Sequence, residues 1–204
     1  NAGTLTRWYR DNIFFDQPAN EAAGGPNAYT AMLDGLEKIP AGSEGLITLP
    51  YFAGERTPLN DPRARGMLFG MTLRHTRRHM YRSALEAVGY SLAQHFEILR
   101  QNDVDIHTIY AVGGGVKAPL WMQIVSDILG IEIHTTDVTI GASFGDAAMA
   151  AIGVGHFASF AELRKHIHPA KTYRPDPEQH EKYKPYVRMF TELYQRNCDL
   201  MHML

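Results

Sequence analysis

The sequence predicts an α/β fold, and three observations carry that expectation. Stretches with apolar residues at helical spacing alternate with apolar runs of strand length. A strand-like run ending at Val112 feeds a triple glycine and then a helix opened by Pro119. The 204 residues contain no internal repeat, low-complexity tract or linker-like break in composition, which suits one domain spanning 1–204.

Leu5, Trp8, Tyr9 and Ile13 fall near one helical stripe, so residues 1–13 read as a short amphipathic helix. Residues 16–26, punctuated by Pro18, Gly24, Gly25 and Pro26, read as a loop. Asn27 suits the N-cap of a helix running to about Ile39, with Tyr29, Met32, Leu33 and Leu36 on its buried side. Leu46–Phe52 and Met67–Leu73 have the length of strands. The segment between them, Gly54–Gly66, is rich in turn formers and charge and exceeds the ~4–6 residues usual in a connection, a mark of functional loops. Thr76–Asn102 reads as the longest helix, with Met80, Ala84, Leu85, Val88 and Leu92 on one stripe and Gly89 implying close packing. Ile106–Val112 is the next strand and Gly113–Gly115 a turn. Pro119–Leu129 is a helix that Pro119 starts and Gly130 ends. Ile131–Thr135 reads as a strand, Ile140–Gly153 as a buried helix of small apolar residues, and Tyr183–Met203 as a closing amphipathic helix.

Composition removes several classes of function. Lys plus Arg number 20 against 22 Asp plus Glu, so the surface excess of positive charge that a general nucleic-acid binder needs is missing. One cysteine, Cys198, excludes an internal disulfide framework and a cysteine-based zinc site, and leans towards a reducing compartment. No apolar run approaches the ~20 residues of a membrane span, and the amino end lacks a signal-like core; a cytoplasmic protein with no membrane partner is expected. The chain opens without Met and enters helix-like sequence at once, which points to a piece of something longer. Among ten histidines, His75 with His79 and His166 with His168 stand close, yet neither pair has a third ligand at metal-site spacing, so no metal centre is expected and they read as exposed helix histidines.

The sharpest local feature is Ile109 to Trp121. Gly113, Gly114 and Gly115 allow a ligand to approach the backbone, the first-turn N–H groups of the following helix suit phosphate, and Lys117 adds a full charge. The same glycines would equally let a tight turn pass under a neighbouring helix, and spacing alone does not choose. Gly113, Gly115 and Ala118 loosely satisfy a dinucleotide fingerprint, with Glu132 about twenty residues on as a ribose acid. At least two helices and two strands precede it, however, and Glu132 begins its strand rather than ending it. In the 54–66 loop, Glu55, Arg56, Asn60 and Asp61 either contact a polyol or form a solvated, self-bridged turn. Asp146, in an apolar helix, would need a partner if buried.

Several motifs, in order, resemble the carboxyl-terminal lobe of the FGGY family of carbohydrate kinases, most closely its xylulokinase-like branch. They are Ala2-Gly3-Thr4-Leu5-Thr6-Arg7-Trp8; Gly54-Glu55-Arg56-Thr57-Pro58 with Asn60-Asp61-Pro62 and Ala64-Arg65-Gly66; the signature Gly66-Met67-Leu68-Phe69-Gly70-Met71, His79-Met80 and Ser83-Ala84-Leu85-Glu86; and Gly113 to Trp121. The resemblance implies an actin-like ATPase (ribonuclease H-like) fold, a mixed sheet flanked by helices, with this chain as the second lobe of a two-lobe kinase. It implies Mg-ATP as phosphoryl donor and a sugar or polyol, first a xylulose-like pentulose, as acceptor. ATP binding maps by resemblance to Gly3, Arg7, Gly114, Gly115, Lys117 and Pro119, while Glu55 and Arg56 map to the substrate-cleft loop. The partners expected are ATP, a sugar, the amino-terminal lobe and, as a homodimer, a second copy. The family's catalytic carboxylate lies upstream of the matched region and none of Asp61, Asp137 and Asp146 stands at its position, so no catalytic residue is assigned and the chain alone is expected to be inactive. Two departures stand out: Ala118 where relatives often have Ser, and Asp146 where Ala is usual. A non-catalytic actin-like module for nucleotide sensing or oligomer contacts is the alternative, and a dinucleotide-binding oxidoreductase domain a third reading.

Overall fold

The computed structural model describes residues 2–139 and 141–204. Asn1 and Ile140, each the first residue of an expected helix, lie outside the described residues. Among the described residues, eight α-helices and five short strands follow in the order α1 (Ala2–Asn12), α2 (Asp16–Ala22), α3 (Ala28–Leu33), β1 (Ile47–Leu49), β2 (Met67–Phe69), α4 (Arg77–Gln101), β3 (Ile109–Ala111), α5 (Pro119–Leu129), β4 (Ile133–Thr136), α6 (Ala142–Gly153), α7 (Phe160–Leu163), β5 (Pro169–Tyr173) and α8 (Pro177–Met201). β1 and β2 form an antiparallel pair, with Thr48 opposite Leu68. β3, β4 and β5 form a mixed sheet in that order, β3–β4 parallel and β4–β5 antiparallel. Helix α4 is the spine: it packs on α1 and α3 through Tyr81, Ala84 and Leu85, and on β1, α5 and α8 through Ala87 and Tyr90. A Cβ on Gly89 would fall 2.5 Å from Ile128 of α5, which accounts for that glycine.

Five expectations need correction. Residues 16–22 are helical, because Pro18 is the third residue of α2, where a backbone N–H has no intrahelical partner to lose. The helix capped by Asn27, whose side chain accepts from the Tyr29 N–H at 3.2 Å, stops at Leu33. Gly35 is left-handed there, and a single 3-10 turn, Leu36–Lys38, follows. The closing helix starts six residues before Tyr183, at Pro177, where the Asp176 side chain caps the N–H groups of Glu178 and Gln179; Pro185 is accommodated inside it. α6 is not buried: of its described side chains only Ala148 is, and Asp146 is exposed, so its charge needs no partner. The segment 160–173, with α7 and β5, carried no sequence signal that was read as structure. His75 and His79 are half-buried rather than exposed, and their Nδ1 atoms accept the backbone N–H groups of Thr72 (2.8 Å) and Thr76 (3.2 Å), pinning the turn that opens α4.

One buried polar network fastens three elements. Glu86 is fully buried and receives the Gly42 N–H (3.1 Å), the Ser43 hydroxyl (2.8 Å), Arg82 Nε (3.0 Å) and the Tyr183 hydroxyl (3.0 Å). Arg82 also donates to the Leu36 carbonyl (3.2 Å) and the Tyr183 hydroxyl (2.9 Å). The turn it holds runs through four consecutive left-handed residues, Gly42, Ser43, Glu44 and Gly45, a conformation unfavourable for the two non-glycine members.

Candidate functional site

The amino end of α1 and the turn after β3 open onto one cleft of about 1130 Å³. Ala2, Gly3, Thr4 and Arg7 line one side, and Gly114, Gly115, Lys117 and Ala118 another. Its apolar wall is built from Leu33 of α3, Val88, Leu92 and Phe96 of α4, and Trp121 and Met122 of α5. Five of the six residues expected to hold nucleotide therefore converge, although more than a hundred positions separate the two groups. The sixth, Pro119, is the first residue of α5 and does not line the cleft.

The turn has a definite shape. Gly113 has φ near +92°, a region that side chains rarely enter, and donates its N–H to the Thr139 carbonyl at 2.9 Å. Gly114–Lys117 then form a single 3-10 turn leading into α5, where Ala118 offers no side-chain cap. A Cβ on Gly114 would meet nothing within 4 Å, and the same holds for Gly3 at the start of α1, so both glycines leave backbone open to the cleft. Helix α1 begins there with its unpaired N–H groups and their partial positive charge. Arg7 and Lys117 are exposed, and among the described residues neither makes an ion pair or hydrogen bond. Two free cations, a helix start and bare glycine backbone on one cleft suit an anion such as a polyphosphate.

The comparisons with known proteins decide the family. Residues 1–154 match the FGGY family of carbohydrate kinases, C-terminal domain. The chain belongs to that family. It is 34% identical over 177 residues to the xylulose kinase of Bacillus subtilis, covering 86% of this chain and 36% of the relative. With the gluconokinase of the same organism it shares 30% identity over 194 residues, 95% of this chain and 38% of the relative. The crystal structure of xylulose kinase from Rhodospirillum rubrum superposes with a TM-score of 0.80 at 28% identity, over 98% of this chain and 39% of that one. The fold is thus the sugar-kinase, actin-like one, and the chain spans little more than a third of the length of these FGGY relatives.

The other candidate residues lie apart from the cleft. Glu55 and Arg56 border a separate depression of about 520 Å³ with Gly54, Asn60 and Pro62. This loop is bridged on itself: Glu55 and Asp61 exchange backbone hydrogen bonds (2.9 and 2.7 Å), and the Glu55 carboxylate accepts the Arg56 N–H at 2.9 Å. Asp61 then ties the loop to the end of α8, accepting from His202 Nε2 (2.7 Å), the Tyr194 hydroxyl (2.8 Å) and the Arg63 N–H (2.9 Å). No local signal marks this latch, because Tyr194 and His202 lie more than 130 positions from Asp61.

Those hydrogen bonds, chiefly that of His202, hold the Asp61 carboxyl at about 2, below the usual aspartate range. A depressed carboxyl stabilises the fold above its unfolded value of about 4, and that contribution is lost as pH falls from about 4 to about 2. In denaturant melts the wild-type advantage over Asp61→Asn should therefore close across that window; a gap undiminished near pH 2 would contradict the assignment.

The remaining acids are accounted for. Asp137 accepts the His168 N–H at 3.0 Å, and Asp146 points outward from α6. Glu132, the ribose acid of the dinucleotide reading, is paired with Arg174 at 2.9 Å, which leaves that reading without its acid. Among the described residues no group of three or more His, Cys, Asp and Glu gathers to hold a metal ion, and no helix is long and apolar enough to cross a membrane.

Proposed function

We propose that the protein phosphorylates a sugar or polyol hydroxyl with ATP, with a xylulose-like pentulose as the first candidate, and that residues 1–204 supply the nucleotide-side lobe. One observation carries the reading: Gly3 and Arg7 of one helix start and Gly114, Gly115 and Lys117 of another turn face a single cleft, with both cations unpaired among the described residues. Xylulose is preferred because relatives named xylulose kinase reach 34% identity, against 30% for a gluconokinase. The single cysteine accords with a cytoplasmic setting.

The residues present fit a nucleotide. Bare backbone at Gly3 and Gly114 admits phosphate oxygens to main-chain N–H groups, Arg7 and Lys117 neutralise their charge, and the apolar wall suits a base. Phosphoryl transfer needs chiefly positioning and charge neutralisation, which this face contributes. Mg²⁺ bound with ATP would neutralise further charge, and no residue of this chain is assigned to hold it. By the family resemblance the carboxylate base lies in the other lobe; in this chain Asp61 and Asp137 are engaged in hydrogen bonds of their own and Asp146 is exposed on α6.

Calorimetry on this chain should show weak Mg-ATP binding, reduced about tenfold by either Arg7→Ala or Lys117→Ala, the loss of one charge-assisted contact of roughly 1.5 kcal/mol. The chain alone should form no sugar phosphate, whereas the whole protein should release ADP when given xylulose. Absent binding, or turnover by the chain alone, would overturn the assignment.

A further inference from the structure

Adjacent glycines in the turn are bare for different reasons. At Gly114 a side chain would enter open space, but at Gly115 a Cβ would lie 3.2 Å from Cζ3 and 3.5 Å from Cε3 of Trp121. A side chain at 115 would therefore press on the indole, which would have to give by a few tenths of an ångström. The indole is itself anchored: its Nε1–H donates to the Leu85 carbonyl in α4 at 3.1 Å, and the ring packs against both the α1–α4 core and the α5–β4 core. Elsewhere the turn is held by the Gly113 N–H to the Thr139 carbonyl (2.9 Å), by its own bonds from Val116 N–H to the Gly113 carbonyl (3.3 Å) and from Ala118 N–H to that of Gly115 (3.0 Å), and by Val116 against the α5–β4 core; at Gly115 itself the nearest side chain is the indole.

We propose that Trp121 is a positioning residue for the nucleotide cleft: hung from the Leu85 carbonyl, its ring is the stop on which the Gly113–Lys117 turn rests, so that the backbone of Gly114 and Gly115 already lines the cleft before a ligand arrives. This rests on the nucleotide reading above. A turn ordered in advance loses less conformational entropy on binding, so removing the stop weakens affinity through disorder of the turn, over and above any contact the ring makes as part of the cleft wall; the exchange of residues 113–118 reads the disorder alone.

The test uses this chain, with hydrogen exchange of residues 113–118 measured without nucleotide and Mg-ATP affinity measured by calorimetry. Trp121→Leu should speed exchange of that segment and weaken binding by about tenfold, while Trp121→Phe, which keeps a ring and loses the N–H bond of about 1 kcal/mol, should weaken it about fivefold. Gly115→Ala approaches the same contact from the other side without shortening the core. It should weaken binding severalfold in the wild type and very little in the Trp121→Leu background, the non-additivity expected of two groups in contact. Unchanged exchange at 113–118 in Trp121→Leu, or effects of the two substitutions that simply add, would overturn the proposal. A wild-type chain that shows the expected exchange pattern yet binds no Mg-ATP would instead refute the nucleotide reading and leave Trp121 as the stop of the turn.

Discussion

Glu86→Ala is expected to destabilise the fold by roughly 3–5 kcal/mol, the range seen when one member of a buried ion pair is removed. That is a large share of the ~5–15 kcal/mol that typically separates folded from unfolded domains. Glu86 has no exposed surface, and burial pushes its carboxyl above the usual range while Arg82 opposes the shift. Its removal leaves the Arg82 guanidinium short of its anion and orphans the Gly42 N–H and the Ser43 hydroxyl, on the turn whose four left-handed residues most need restraint. The damage should spread to the start of α8, because Tyr183 loses its acceptor. Urea melts followed by circular dichroism measure this directly. The double variant Arg82→Leu/Glu86→Leu should be less damaging than Glu86→Leu alone, since it removes both charges together. A loss below about 1 kcal/mol for Glu86→Ala would show that water reaches the network and satisfies it.

What could be read from sequence divides along a physical line. Local signals were legible: Asn27 as a cap, Pro119 and Gly130 as the limits of α5, Gly89 as a packing glycine and the turn at Gly113 each depend on residues a few positions apart. Pro18 misled because proline is tolerated in a helix's first turn, and β5 escaped because its register is set by pairing with β4, where His134 lies opposite Thr172. The site was half legible. The resemblance marks two segments expected to hold nucleotide, but that they meet on one cleft, that Gly115 lies against Trp121 and that Asp61 is latched to His202 are consequences of packing between distant positions. α6 shows the converse: small apolar residues predict a buried helix, while the described residues bury only one of its side chains.

Gly114 offers the sharpest test of the cleft because its substitution separates ligand exclusion from folding. Its backbone lies outside the left-handed region and a Cβ there meets no protein atom within 4 Å, so Gly114→Ala and Gly114→Val should fold with little change in melting temperature. A valine's branched methyl groups would instead stand in the space where a phosphate has to reach the main chain, beside Lys117 and facing Gly3 and Arg7 across the cleft. Calorimetric titration of Mg-ATP into wild type, Gly114→Ala and Gly114→Val is therefore the most direct measurement. A graded loss, with Gly114→Val weakened by at least about a hundredfold, or about 2.8 kcal/mol, and melting temperatures unchanged, is the predicted result. Equal affinity in all three chains would contradict the claim that nucleotide rests on this turn.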